Sequence, residues 1–377
     1  MQGPCSVPRR GRPPPSESIL KKELGALCAL LSAAMALPAS AQPKDFTVYG
    51  TMDLGVRHAS GLTDRHMPAS GSQNSLSSGL NDASRWGVRG TTPLGGGLNA
   101  VFELESGLNA DTGMPAQGTP FFDRGSWIGL QDTSGNTLKV GRQASLLADA
   151  LVTIDPLQRR FPDFNPNMTV GALARHGLGT PYGNTGIDGN AYWLNNALKL
   201  TNRTGPYQFS AMYSAGEQAG DHKPLSSGGL GLAWEENGTA AAGAYQTFRD
   251  ASGRQLKAWN LGLSHRAGNV RLAASAARSQ TGDGEAARTR QRVVSVGATL
   301  STTQQSDWTL AYYKVDRERA SLANDGYGRF VAFYEYRLSM RTRLYAEFDL
   351  TNWDDGYQGA GNKSRATGFG LGMQYRF

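Results

Sequence analysis

The amino-acid sequence predicts an all-β fold, a sixteen-stranded antiparallel transmembrane β-barrel, on three observations. Segments of about ten residues with alternating apolar and polar side chains recur along the chain, the length and pattern of a membrane-crossing strand. The connections between them alternate between short and long. The chain also ends on RATGFGLGMQYRF, in which Phe369, Leu371, Met373, Tyr375 and Phe377 alternate with small or polar residues. A last strand with one oily face and an aromatic terminus suits barrel closure, because it must pair with the first strand and face lipid. The final strand of a soluble sheet is the competing reading.

The chain opens on residues that do not belong to this pattern. Lys21 and Lys22 precede the apolar run LGALCALLSAAMAL, and Ala39-Ser40-Ala41 supplies small residues before Gln42. Residues 1–41 are therefore expected to be a signal peptide cleaved before Gln42, with 42–377 as a single barrel domain. Residues 1–19 are Pro- and Arg-rich, and a start near Ile19 or Leu20 gives an ordinary signal. Leu27 before Cys28 is too large for a lipidated cysteine, which also lies inside the apolar run.

Sixteen strands are predicted, starting near Phe46, Ser84, Gly97, Phe121, Asn136, Ala191, Pro206, Gly228, Gly238, Gln255, Gly268, Arg290, Ser306, Gly328, Thr342 and Ser364. The short connections are TPLGGG, TSG, NRTG, the EENG region, the AG of HRAGN, the TTQQ region and SMR. The long ones cover roughly 58–83, 109–120, 143–190, 216–227, 250–254, 281–289, 318–327 and 354–363. Short turns on one rim and long loops on the other are the layout of an outer-membrane barrel. The faces sort as well. Phe46, Val48, Met52, Leu54 and Val56 share one side of the first strand, and Thr47, Tyr49, Thr51, Asp53 and Arg57 share the other. About sixteen strands enclose too wide a lumen for side chains to fill. The polar set is therefore expected to face water inside, and the apolar set lipid outside. Small inward positions (Gly243, Gly262, Ser264, Ser275, Ser295, Gly297) argue against a plugged, structural barrel.

Bulk properties narrow the function. The chain has 377 residues, 48 glycines and 18% charged residues, and a mean hydropathy of −0.43. Past the leader no stretch approaches the ~18 apolar residues of a spanning helix. Both cysteines, Cys5 and Cys28, fall in the leader, so the mature chain has no thiol or disulfide chemistry. Beyond residue 41 there are 33 basic and 29 acidic residues, a net charge of +4. That mild excess is not clustered as a nucleic-acid binder requires, so no nucleic-acid partner is expected. His58, His66, His176, His222 and His265 fall in loops or at turns without a Ser/His/Asp or metal-ligand grouping. No catalytic residue, cofactor or metal site is expected.

Several stretches resemble the general porins of Gram-negative bacteria of the β-proteobacterial and neisserial type. They are TVYGTMDLGV, the hairpin SRWGVRGTTPLGGGLNAVFELESGL over Ser84–Leu108, FFDRGSWIGL, NTLKVGRQ, WLNNALKL and the terminal Phe. The resemblance covers the whole chain beyond the leader and is strongest between residues 46 and 200. It implies an outer-membrane barrel in lipid, usually a homotrimer, through which ions and small hydrophilic solutes diffuse. It also implies assembly through the C-terminal strand, with Phe369, Leu371, Met373, Tyr375 and Phe377 as the signal read by the barrel-assembly machinery.

The segment 145–190 is the longest connection, and an unstructured loop of that length is usually functional. An ordinary exposed loop is the competing reading; the resemblance implies an inward-folded constriction. Its acids are Asp149, Asp155, Asp163 and Asp188. Opposite them a basic wall is expected. Arg57, Arg85 and Arg89 have lumen-facing parity, and Arg124 and Arg142 match arginines of the family motifs FxR and LGRQ. Glu103 and Glu105 neighbour this wall. A guanidinium stays charged and offers several donors, so the wall and the +4 charge together predict a weak to moderate anion preference. Two departures from the family bear on selectivity. Trp193 stands where relatives often have Arg, and Arg159, Arg160 and Arg175 occupy a third loop that relatives keep more acidic. The alternative is a substrate-specific channel for a small organic anion, sugar or peptide. It requires an aromatic track in the lumen, whereas most aromatics here have lipid-facing parity.

Overall fold

A computed structural model describes residues 45–63, 66–118, 120–171, 182–185, 193–281, 289–319 and 323–377. The expected leader, and with it both cysteines, lies outside these residues. The wall is built from β1 (Asp45–Leu62), β2 (Pro68–Ser78), β3 (Arg85–Gly95), β4 (Leu98–Asn109), β5 (Met114–Pro115), β6 (Gly125–Gln131) and β7 (Thr137–Ala144). After the long third loop come β8 (Trp193–Thr204), β9 (Tyr207–Ser214), β10 (Ser227–Glu236), β11 (Thr239–Arg249), β12 (Gln255–Ala267) and β13 (Val270–Thr281). The last are β14 (Thr289–Ser301), β15 (Ser306–Arg319), β16 (Asp325–Arg337), β17 (Thr342–Asp354) and β18 (Arg365–Arg376).

Successive strands pair antiparallel, and β18 returns to pair with β1 from Thr51↔Arg376 to Ser60↔Thr367. Phe377 extends that seam: its N–H donates to Gly50 O and its carbonyl accepts from Gly50 N–H, both at 3.1 Å. The sheet therefore has no open edge to leave unpaired in hydrocarbon. β2 and β3 lie on the same side of β1, against residues 54–62 and 45–51 respectively. They form one barrel strand interrupted at 79–84, and β5 only extends the edge of β4. The closed barrel thus has sixteen strands.

The first long connection is shorter than the sequence indicates. β1 runs on to Leu62, and the Ser-rich PASGSQNSLSS, read as loop, is strand β2. Serine and glycine have low strand propensity, but the ladder to β1 satisfies their backbone whatever the side chains. The interruption at 79–84 is held by Asp53, whose carboxylate accepts the Asn81 and Asp82 amides at 3.2 and 3.3 Å.

Face parity follows lipid chemistry. Phe46, Val48 and Val56 point outward at 57, 56 and 57% exposure, while Asp53 and Arg57, of the opposite parity, are buried inside. At the other end of the sheet Phe369, Leu371 and Met373 point outward, and Tyr375 and Phe377 stack at 6.4 Å on the short-turn rim. Among the described residues no helix is long and apolar enough to cross a membrane; the strands do the crossing.

Inside, the third loop lies against the wall instead of hanging free. It begins with α1 (Leu146–Ile154), a helix the sequence reading took for bent loop. Ser145 caps it, its hydroxyl accepting the Ala148 amide at 3.3 Å. Leu146, Leu147, Ala150, Leu151 and Ile154 make one apolar stripe against Met212, Ala242, Ala244, Leu256 and Ala258. Farther on, Leu157, Phe161 and Phe164 bury themselves on the inner faces of β14–β17, among Val293, Tyr313, Val331, Phe333 and Tyr345. Each fully buried large side chain contributes about 1.5–3 kcal/mol before the cost of ordering the loop. The short helix α2 (Pro166–Gly171) follows.

This placement explains why small residues recur at inward positions. A Cβ at Gly262 would lie 2.8 Å from Ile154 Cβ and 2.4 Å from Ala274 O, and one at Gly297 would lie 2.7 Å from Pro156 Cβ and 2.6 Å from Leu310 O. Glycine there lets the loop approach the sheet. Gly243 is a correction: it alternates with the inward Ala242 and Ala244, so it faces outward beside Leu261. On β15–β17 the aromatics divide: Trp308, Tyr312 and Phe348 keep lipid-facing parity, while Tyr313, Tyr327, Phe333, Tyr345 and Trp353 point inward under the loop.

Candidate functional site

With the loop laid against β9–β17, the lumen that stays open runs between it and the β3–β8 wall. It forms a cavity of about 980 Å³ lined by residues of both and, toward the short turns, by residues of β12 and β14–β18. Among the described residues, ten basic and eight acidic side chains line it, an excess of two positive charges. A second compartment of about 660 Å³ opens beneath α1, toward the short turns of β6–β11. Lys139, Asp149, Val152 and Lys199 line both, so the partition runs between α1 and the β7–β8 pair.

The charges form chains. On the β3–β6 side, Arg85 bridges Asp82 at 2.8 Å and Glu105 at 3.4 Å, and Glu105 accepts Arg124 Nε at 2.8 Å and the Tyr49 hydroxyl at 3.0 Å. On the β15–β17 side near the short turns, Arg337 pairs with Asp307 at 2.5 Å, and Glu335 joins Arg337 to Arg343 at 3.4 and 2.9 Å. At the partition Lys199 holds Asp149 at 2.7 Å. Lys139 is different. Lys139 and Arg266 have no ion pair among the described residues, and the Lys139 ammonium sits 3.8 Å from the Trp127 ring centroid. Trp127 in turn donates its indole N–H to Glu103 at 3.1 Å. Arg124 lies over the second lumenal indole, Trp193, at 4.7 Å.

The residues singled out in the sequence scatter across this arrangement. Arg85, Arg124, Glu103, Glu105, Asp149 and Asp163 line the larger cavity. Arg89 keeps lumen-facing parity but lies nearer the turn rim, its guanidinium 5.0 Å from the Tyr49 ring. Arg57 is not on the open wall. It is ion-paired with Glu347 at 2.5 Å and with Asp349, its side chain is 1% exposed, and Phe164 of the loop covers it at 5.2 Å. Arg142 is likewise buried, donating to Asp123 O at 2.7 Å, to Asn195 Oδ1 at 2.6 Å and to Thr185 O. Asp155 faces no solvent and works as a hub inside the loop. Its carboxylate accepts from Arg159 N–H, Asn165 Nδ2 and Asn167 Nδ2 at 2.8 Å each, and from the Tyr313 hydroxyl at 3.0 Å. Burial pushes that carboxyl above its ordinary range despite the donors. Asp188 and Arg175 lie outside the described residues.

An acidic loop facing a basic wall is therefore too simple, because both sides carry both signs: the loop brings Arg159 and Arg160 to the lumen beside Asp149 and Asp163. The sequence reading missed Lys139, Lys199, Arg337, Arg343 and Arg376. Parity could have found the first two, since each sits between outward apolar residues, Leu138 and Val140 or Leu198 and Leu200.

The comparisons with known proteins agree with this geometry. A family model described as Gram-negative porin matches residues 26–356. An outer membrane porin protein of Bordetella pertussis is 36% identical over 162 residues, a match spanning 41% of each chain and so less than half of that relative's length. Among solved structures, an anion-selective porin from Comamonas acidovorans superposes with a TM-score of 0.73 at 20% identity, covering 88% of this chain and 99% of the other. OmpT of Vibrio cholerae, in a trimer form, superposes at 0.64 with 15% identity, covering 88% and 99%. At such identities these two likenesses concern the fold.

Proposed function

The chain belongs to the Gram-negative porin family, and from that premise we propose that it opens a water-filled diffusion channel for ions and small hydrophilic solutes across the outer membrane, with a weak preference for anions. The carrying observation is the charged lumen, where ten basic side chains stand against eight acidic ones. Rings of charge set ion selectivity through the local potential. Here most lining cations are paired with carboxylates, which leaves a small positive surplus and hence a weak preference. The anion-selective porin from Comamonas acidovorans, which shares the fold, supports the same sign. The purified protein in a planar bilayer across a KCl gradient should give a reversal potential displaced toward chloride. A clear displacement toward potassium overturns the proposal.

Two partner assignments go with this reading. A homotrimer is supported by the trimer form of the OmpT neighbour, and insertion of conductance in steps of three checks it. The terminal strand, with Phe369, Leu371, Met373, Tyr375 and Phe377 outward, is the proposed surface for the assembly machinery.

A second reading gains one observation. Trp127 and Trp193 both line the lumen, each with a cation over its ring, an arrangement that suits the ring and charge of an aromatic carboxylate. On this reading benzoate blocks chloride current saturably and acetate does not. Equal, linear effects of the two leave the general channel standing alone.

A further inference from the structure

Resting on the channel reading, we infer that His66 is a positioning residue for the constriction loop, that it pins the loop tip only while its imidazole is neutral, and that acid therefore releases the tip into the lumen. His66 lies between β1 and β2 in the left-handed backbone region at φ 57°, uncommon for a residue with a side chain. Its ring is 6% exposed and stacks on Phe164 with centroids 4.4 Å apart. Among the described residues neither ring nitrogen has a hydrogen-bond partner, although a buried imidazole normally finds at least one.

Its surroundings are charged and closed. From β1, Arg57 lies over the Phe164 ring at 5.2 Å, and from β16 Arg329 stands 5.9 Å from it. From β17, Glu347 and Asp349 hold Arg57. Both carboxylates are committed to Arg57, so a proton on the ring adds a positive charge beside two arginines with no carboxylate aimed at the imidazole among the described residues. Asp64 and Arg65, its neighbours in the chain, lie outside the described residues. Burial, then Arg57 and Arg329, hold the imidazole well below its ordinary value of 6.5.

The sign follows by linkage. Docked His66 resists protonation and undocked His66 does not, so docking is complete above the ordinary value and weakens as pH falls below it. The docked-to-free ratio drops by up to about tenfold per pH unit until the docked ring itself titrates. Asp155 pulls the other way, because a carboxyl raised by burial in the docked loop favours docking as it takes a proton. What His66 pins is the loop tip. Phe164 O also accepts from Arg329, and Phe161 N–H donates to Asn81 O at 2.8 Å. Once the stack is lost, Phe161 and Phe164 leave the wall for the lumen.

Single-channel recording from pH 7.5 to 4.5 and hydrogen exchange of residues 157–165 over the same range test this together, on the wild type and on His66→Phe. The variant keeps a ring on Phe164 and cannot take a proton. Partial closures and a loss of protection below pH 6 in the wild type, with each exchange rate taken relative to the intrinsic rate at that pH, and neither in H66F, are the expected result. An acid response of equal size in H66F, or wild-type exchange that tracks H66F at every pH, overturns the assignment. A chain without current at neutral pH would sink the channel reading, while the exchange comparison still decides for or against His66.

Discussion

Lys139→Glu abolishes the anion preference, and Lys139→Glu combined with Arg266→Glu reverses it. Both cations line the lumen without a carboxylate partner among the described residues, so neither charge is offset by an ion pair there. A reversal of one lining charge changes the lumenal balance by two units. The surplus of two positive charges falls to zero in the single variant and to a deficit in the double one. A unit charge passed at about 4 Å is worth ~1 kcal/mol in bulk-like water, roughly a fivefold change in local ion ratio, and more where water is scarce. Reversal potentials in a KCl gradient therefore move to near zero, then across it. Lys199→Glu is the informative contrast. It leaves Asp149 without its 2.7 Å partner and puts two carboxylates together, so part of its effect passes through the loop. If Lys139→Glu leaves the reversal potential unchanged, the selectivity filter lies elsewhere.

How much of this was readable in the sequence depends on which solvent each residue meets. The outward face was readable because hydrocarbon admits one chemistry at every second position: Phe46, Val48 and Val56, or Phe369, Leu371 and Met373, can only look at lipid. Strand number and turn placement followed, since each crossing takes a fixed length of chain. The inward face was half readable. It meets water in some places and the third loop in others, and nothing local to Tyr313, Phe333 or Tyr345 announces that Leu157, Phe161 and Phe164 will cover them. Arg57 and Arg85 show the consequence. They share lumen-facing parity on neighbouring strands, yet one is sealed under Phe164 and the other lines the open cavity. What separates them is the path of a loop more than a hundred residues away from Arg57 at Phe164, which parity cannot see. The loop's own conformation does leave a trace in the sequence. Ser145 followed by Leu146, Leu147, Ala150, Leu151 and Ile154 is a capped helix with a one-sided apolar stripe.

That loop should be the weakest part of the molecule, and Asp155→Ala the substitution that shows it. The carboxylate takes four hydrogen bonds from both sides of the bend after α1. Three come from the loop itself and one from Tyr313 on the barrel wall, so Asp155 both shapes the turn and ties it to β15. Alanine leaves buried donors without an acceptor, each costing about 1–3 kcal/mol, though a relaxing loop recovers part of that. A net loss of about 2–4 kcal/mol in loop docking is expected, while the closed ladder from β1 to β18 keeps every backbone bond it had. The barrel should thus show unchanged far-UV circular dichroism and an unchanged requirement for heat to unfold in detergent. The current should become noisy, with partial closures at neutral pH as the apolar tip leaves the wall, and residues 157–165 should exchange hydrogen faster. Asp155→Asn keeps one oxygen, enough for one of the two donor pairs (Arg159 with Asn165, or Asn167 with Tyr313), and should fall between wild type and alanine. A quiet, fully open Asp155→Ala channel would show instead that Phe161, Phe164 and the α1 stripe hold the loop by apolar contact alone.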